Sequence, residues 1–114
     1  MTRPNKLYGL LGLARRAGAV APGLEVVRET IREGQARLVL LAADASRAQL
    51  EKVERTLAGH PVARATLGTR AELGAALGLG PISAVAVTHP TLAEQMLAEL
   101  ARSAAPMVLT GVEG

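Results

Sequence analysis

The sequence contains no cysteine, tryptophan or phenylalanine, and Tyr8 is its only aromatic residue. The absence of cysteine excludes disulfides, thiolate zinc sites, iron–sulfur clusters and a cysteine nucleophile, and it fits a reducing cytoplasm. Proteins that bind single strands by stacking bases on aromatic side chains are disfavoured as well. The core therefore has to be aliphatic, and 49% of the residues are hydrophobic.

Side chains suited to catalysis or metal binding are scarce. Asp44 is the only aspartate, and the only histidines, His60 and His89, each precede a proline. Three serines complete the set, at spacings unrelated to these residues. A nucleotide-binding loop lies between a strand and the helix that follows it. The glycines near position 78 do not have this placement, and no Walker lysine is present. The composition predicts a protein that is not an enzyme and binds no cofactor or metal.

The length of 114 residues predicts one domain. We expect its core to span residues 5–101 and to be followed by a tail over residues 102–114. The apolar run 7–14 is interrupted by two arginines where a signal peptide would continue. The uncharged segment 73–93 is broken by glycines and two prolines, which a membrane helix does not tolerate cheaply. No membrane association is expected.

Helical and extended patterns alternate along the chain. Apolar residues at helical spacing predict helices that begin near residues 5, 24, 46, 69 and 91. Three of these starts carry capping boxes, namely Ser46 with Gln49, Thr69 with Glu72 and Thr91 with Glu94. Short apolar runs predict strands over residues 19–21, 38–43, 62–67 and 83–87. This order predicts an α/β fold, a three-layer α/β/α sandwich around a four-stranded mixed sheet.

Positive charge is concentrated at the beginning of the chain. The net charge is +3, but residues 1–24 contain four bases and no acid. Arg15 and Arg16 end the first predicted helix, and arginine matches phosphate oxygens well. With the glycine-containing loops at 18–23 and 78–83, this helix end would suit structured RNA. Alternatively, the two arginines stabilise the C-terminal end of their own helix, and composition leaves both interpretations open.

Three stretches of sequence carry a family resemblance. KLYGLLGLARRAG, PGLEVVRETIREGQARLVLLAADAS and LGTRAELGAALGLGPISAVAV together resemble the ribosomal protein L7Ae family, in its short bacterial branch of YlxQ type. The similarity extends over residues 5–101. It implies an RNA-binding protein of ribosomes or other ribonucleoproteins, whose RNA is typically a kink-turn with sheared G·A pairs. The family's RNA-contacting segments correspond to residues 18–29 and 78–84 here.

Several positions depart from the pattern of the kink-turn-binding members. Those members carry a lysine at the position of Ala19, and their second helix opens with an Asn-Glu pair where this chain has Glu25 and Val26. A further lysine is replaced by Glu29, and an arginine that often precedes the later proline is replaced by Gly80. RNA binding is therefore expected with weak or no preference for kink-turns.

The predicted RNA contacts combine family positions with charge. Gly23, Pro81 and Ser83 match family site positions directly. Arg28 and Arg32 follow Glu25 and Glu29 at helical i+3 spacing, which predicts that they neutralise these carboxylates. The full predicted set is Arg15, Arg16, Gly23, Glu25, Arg28, Arg32, Pro81 and Ser83.

Two function classes follow from this pattern. The first is a non-enzymatic, cytoplasmic binder of structured RNA, with ribosomal RNA as the expected partner and a monomer or weak dimer as the expected state. The alternative is a protein-interaction module on the same scaffold whose RNA site has decayed. The salt dependence of RNA binding separates these classes.

Overall fold

A computed structural model describes residues 5–102, in which helices and strands alternate. The predicted C-terminal tail falls almost entirely outside these residues, as does Arg3, which is one of the four bases in residues 1–24. The elements are α1 (Asn5–Arg16), β1 (Val20–Pro22), α2 (Leu24–Arg32), β2 (Leu38–Leu41), α3 (Arg47–Leu57), β3 (Ala63–Thr66), α4 (Arg70–Ala76), β4 (Ala84–Val87) and α5 (Pro90–Arg102).

The four strands form one mixed sheet in the order β1-β4-β2-β3. Strand β4 is antiparallel to both β1 and β2, whereas β2 and β3 are parallel. Every residue of β2 and β4 is buried. Because strands flank β2 and β4 on both edges and helices cover both of their faces, their continuous apolar sequences fit their central positions.

Helices cover both faces of the sheet. Side chains alternate across β2, so that Leu38 and Leu40 pack with α1, α4 and α5, whereas Val39 and Leu41 pack with α2 and α3. Leu11 and Met96 are fully buried on the first side. The predicted three-layer α/β/α sandwich with a four-stranded mixed sheet is confirmed.

Helix starts agree with the sequence pattern at α3 and α4 and differ at α5. Ser46 and Thr69 each form the predicted capping box. The box predicted at Thr91 is wrong, because α5 begins at Pro90 and Thr91 lies inside its first turn. The ring nitrogen Nδ1 of His89 accepts from the Thr91 N–H at 3.2 Å, and a proline at the first helical position loses no hydrogen bond.

The segment between α4 and β4 folds back along α4. The Leu79 N–H donates to the Gly74 carbonyl at 2.8 Å, and the Ile82 N–H donates to the Arg70 carbonyl at 3.1 Å. Gly78 adopts a φ of 72°, which allows this reversal. A Cβ on Gly74 would overlap the Gly80 carbonyl oxygen, so the close approach of loop and helix depends on glycine at position 74.

Candidate functional site

Several loops meet at one end of the sheet. The Gly23 N–H, at the end of β1, donates to the carbonyl of Ala84 at the beginning of β4, at 2.9 Å. The Ala42 N–H, after β2, donates to the Ser83 carbonyl at 2.9 Å, and the Ala43 N–H reaches the Gly68 carbonyl at 2.7 Å. We call this end the loop edge; it comprises residues 23–25, 42–47, 68–70 and 81–83. Helices α2, α3 and α4 all begin there.

The beginning of α2 differs from those of α3 and α4. Its N-cap is Gly23, with φ 107°, and no side chain caps the first turn. A Cβ at this position would meet no other atom within 4 Å, so the site is open from outside. Unpaired backbone N–H groups at a helix start attract anions. The loop edge therefore includes an accessible helix start without a side-chain cap, between β1 and the loop before β4.

Arg28 is held between α2 and α3. Its Nη1 lies 3.0 and 3.1 Å from the two carboxylate oxygens of Glu25, and its Nε donates to Thr56 Oγ1 at 3.0 Å. The Arg28 side chain is only 21% exposed. The predicted neutralisation of Glu25 is thus present, and it occupies Arg28. No ion pair joins Arg32 to Glu29 within residues 5–102, and both side chains are exposed.

Ser83 points into the protein rather than outwards. Its hydroxyl donates to Gln49 Oε1 at 2.9 Å, and the same oxygen accepts from the Ser46 N–H at 3.0 Å. The Gln49 N–H in turn donates to Ser46 Oγ at 3.1 Å. The capping box of α3 is therefore linked to the loop before β4, whereas the neighbouring Pro81 is exposed.

Two exposed arginines at the loop edge have no counterpart in the predicted set. Arg47 is the first residue of α3, and Arg70 is the first residue of α4. The Arg70 Nε lies 3.9 Å from the carboxylate of Asp44, which also accepts from the Arg70 backbone N–H at 2.7 Å. No motif marks these arginines, because their placement depends on α3 and α4 beginning at the same end of the sheet as α2.

Arg15 and Arg16 lie away from the loop edge. The Thr88 N–H donates to the Ala19 carbonyl at 2.9 Å, which places Ala19 at the end of β1 opposite Gly23. Helix α1 ends just before it, on the other face of the sheet from α2. The Arg15 Nη1 donates to the Leu77 carbonyl at the end of α4. The structure thus places Arg15 and Arg16 together at this end of the sheet. Arg32, the last residue of α2, lies at the end of its helix away from Gly23. The remaining predicted residues lie at or next to the loop edge, namely Gly23, Glu25, Arg28, Pro81 and Ser83.

Residues 5–102 contain neither a metal-binding cluster nor a membrane-spanning helix. Within that range no group of three or more histidine, aspartate or glutamate side chains is placed to hold a metal ion. None of the helices formed by these residues combines the length and apolar character needed to span a bilayer.

Comparison with known proteins defines the class. Residues 5–97 match the family described as the Ribosomal protein L7Ae/L30e/S12e/Gadd45 family, and the chain belongs to it. This membership confirms the resemblance drawn from the sequence.

Individual relatives extend the comparison. The RNA-binding protein YlxQ of Bacillus subtilis (strain 168) is 37% identical over 93 residues, which are 82% of this chain and 93% of that protein. A protein of unknown function from Bacillus halodurans C superposes with a TM-score of 0.79 at 28% identity, covering 84% of this chain and 97% of that one. The Giardia lamblia 15.5kD RNA binding protein, at 21% identity and TM-score 0.70 over 86% of this chain and 84% of its own, shares the fold.

Proposed function

We propose that this protein is a non-enzymatic, cytoplasmic RNA-binding protein that holds structured RNA at the loop edge. The observation that carries the proposal is the match to the B. subtilis RNA-binding protein over 93% of that protein's length. We further propose that the partner is ribosomal RNA or the RNA of another ribonucleoprotein, bound by a monomer or weak dimer.

Backbone phosphates are the groups that the loop edge is best equipped to bind. The open start of α2 offers the backbone N–H groups of the residues after Gly23, whose own N–H is bonded to Ala84, and the exposed side chains of Arg47 and Arg70 lie on the same loop edge. Glu25 contributes little repulsion, since Arg28 neutralises it. Contacts to phosphates position an RNA without reading its sequence. Affinity is therefore expected to depend on RNA shape and salt more than on base identity.

Kink-turn preference is expected to be weak because α2 lacks groups for reading base edges. Val26 is 46% exposed and has no hydrogen-bonding side chain. Glu29 is exposed and unpaired within the described residues, so it repels nearby phosphate. We expect the Glu29→Lys variant to bind a kink-turn RNA and a plain duplex more tightly by a similar factor, up to an order of 1 kcal/mol per phosphate contact.

A binding titration tests both parts of this proposal. The protein is titrated with a kink-turn RNA and with a duplex of equal length at several KCl concentrations, together with the Arg47→Ala and Arg55→Ala variants. Arg47→Ala is expected to weaken both complexes equally and to lower the slope of log K against log salt by about 1. Arg55, an exposed arginine in the last turn of α3, serves as the control. A wild-type preference for the kink-turn of about a hundredfold, about 2.7 kcal/mol, would contradict the expected lack of specificity.

The interaction-module alternative is favoured by one observation, the exposed Val26 beside the negative charge of Glu29. Crosslinking in cells followed by sequencing of the bound RNA distinguishes the two functions. Recovery of structured ribosomal RNA supports the RNA-binding proposal and its ribosomal partner. Recovery of no structured RNA, together with salt-independent or absent binding in the titration, would favour the interaction module.

A further inference from the structure

A second basic surface lies on the opposite face of the sheet from α2. It is a depression of about 470 Å³ between the ends of α1 and α4. Its lining contains two arginines and no acidic residue. The lining residues are Gly12, Arg15, Arg16, Ala76, Leu77 and Gly78. We call it the α1–α4 depression.

Both guanidinium groups converge on this depression. The Arg15 Nη1 donates to the Leu77 carbonyl and lies 3.9 Å from the place that a Cβ on Gly78 would take. The Arg16 Nη1 lies 3.8 Å from the corresponding place on Gly12. A guanidinium carries five N–H donors, so most of those on Arg15 stay available. No hydrogen bond or ion pair within residues 5–102 occupies the Arg16 side chain.

The electrostatic balance in the depression favours an anion. The C-terminal ends of α1 and α4 each contribute a partial negative charge of about half an elementary charge. Arg15 bonds directly to one of the carbonyls responsible, and the two arginines together supply two full positive charges. The glycines at 12 and 78 place no side chain between an incoming group and the guanidiniums. The planar arginine fork matches phosphate oxygens.

We propose that the α1–α4 depression binds a backbone phosphate of RNA and is a second RNA contact, separate from the loop edge. The inference rests on the proposed RNA-binding function. Arg16 supplies the principal donors, and Arg15 is held in place by the end of α4. The depression and the start of α2 lie at opposite ends of β1 and on opposite faces of the sheet, so they contact different segments of one RNA.

The test compares two arginines in equivalent helix positions. Arg16 is in the last turn of α1 and Arg55 in the last turn of α3, and both are exposed. The probe is an RNA hairpin with a long duplex stem, titrated at several KCl concentrations. Arg16→Ala is expected to weaken binding about fivefold and to lower the salt slope by about 1. Arg16→Lys is expected to restore the slope but only part of the affinity, because lysine lacks the planar fork.

The outcomes distinguish the two proposals. If the unaltered protein binds the hairpin and Arg16→Ala behaves like Arg55→Ala, the second contact is overturned while the RNA-binding function stands. If the unaltered protein does not bind the hairpin at all, both proposals fail. If the two contacts are separate, the double variant is expected to lose affinity by the product of the factors lost in Arg16→Ala and in Arg47→Ala. A double variant no weaker than either single variant would show one shared contact and overturn the second site.

A direct spectroscopic measurement complements the variants. The side-chain N–H resonances of Arg15, Arg16 and Arg55 are followed while the unaltered protein is titrated with the same hairpin. We expect the Arg16 resonance to shift strongly, the Arg15 resonance to shift less, and the Arg55 resonance to stay in place. An Arg16 resonance that shifts no more than that of Arg55 would contradict the proposal.

Discussion

Comparing the Gly9→Ala and Gly74→Ala variants measures how much the packing of the loop before β4 against α4 contributes to stability. Both glycines are inside helices, where glycine is less stable than alanine by about 0.5–1 kcal/mol. A Cβ on Gly9 would meet no other atom within 4 Å. Gly9→Ala is therefore expected to raise the free energy of unfolding by about 0.5–1 kcal/mol.

The Gly74→Ala variant is expected to lower the free energy of unfolding. The new Cβ would overlap the Gly80 carbonyl oxygen and would lie 2.7 Å from its carbon and 3.1 Å from the Leu79 oxygen. These are backbone atoms, so no side-chain rotation relieves the overlap. The loop has to move by about 1 Å or more to reach an ordinary contact distance, which strains the 2.8 Å bond from the Leu79 N–H to the Gly74 carbonyl. Such overpacking costs about 1–3 kcal/mol.

Urea unfolding followed by circular dichroism measures both changes, and hairpin binding measures the functional effect. The displaced loop carries Pro81 and Ser83, so Gly74→Ala is also expected to weaken RNA binding, whereas Gly9→Ala leaves it unchanged. A Gly74→Ala variant as stable as Gly9→Ala would refute the reasoning, because it would show that the loop moves away from α4 without cost.

Three further predictions concern single side chains. Arg28→Ala removes hydrogen bonds to two residues and is expected to lower the free energy of unfolding in urea by about 1–2 kcal/mol, whereas Arg55→Ala changes it little. Burial and the charge of Glu72 raise the pKa of Tyr8 above 10.0. As the pH rises, the Tyr8 phenol therefore ionises in the unfolded chain before it ionises in the folded one. The free energy of unfolding is expected to fall above pH 10.0, and in urea titrations the Tyr8→Phe variant should lack this part of the fall. Gln49→Ala removes the acceptor of Ser83 and is expected to lower stability by about 1–2 kcal/mol in urea and to weaken hairpin binding.

Much of the fold could be predicted because each local signal has one physical solution. The continuous apolar sequences of β2 and β4 require cover on both faces, and the structure provides it. The capping-box pattern of Thr91 and Glu94 predicts the start of α5 at Thr91 and does not take the adjacent Pro90 into account. Pro90 determines the helix start because its fixed φ suits the first turn, and His89 then provides the acceptor that Thr91 was expected to provide.

The site was less predictable because its contacts depend on strand order and helix packing. Gln49 was identifiable as a capping residue, but its bond to Ser83 exists only because β2 pairs with β4. Arg15 had two roles suggested by sequence, and its observed partner, the Leu77 carbonyl, requires that α1 and α4 end side by side. Neither contact has a signature in the spacing of residues along the chain.

The distribution of charge explains where the attraction for RNA has to come from. In the sequence, Glu25 and Glu29 both repel phosphate, and each has an arginine three residues later that is expected to neutralise it. In the structure only Glu25 is neutralised, by Arg28. Arg28 neutralises Glu25 and is largely buried by doing so, which removes it as a phosphate ligand.

The remaining charges on α2, Glu29 and Arg32, are both exposed and cancel each other at long range. Helix α2 thus supplies backbone N–H groups but almost no net positive charge. We therefore expect exposed arginines outside α2, above all Arg47 at the loop edge and Arg16 at the α1–α4 depression, to supply the salt-dependent part of the affinity, with a smaller part from Arg70, which lies beside Asp44.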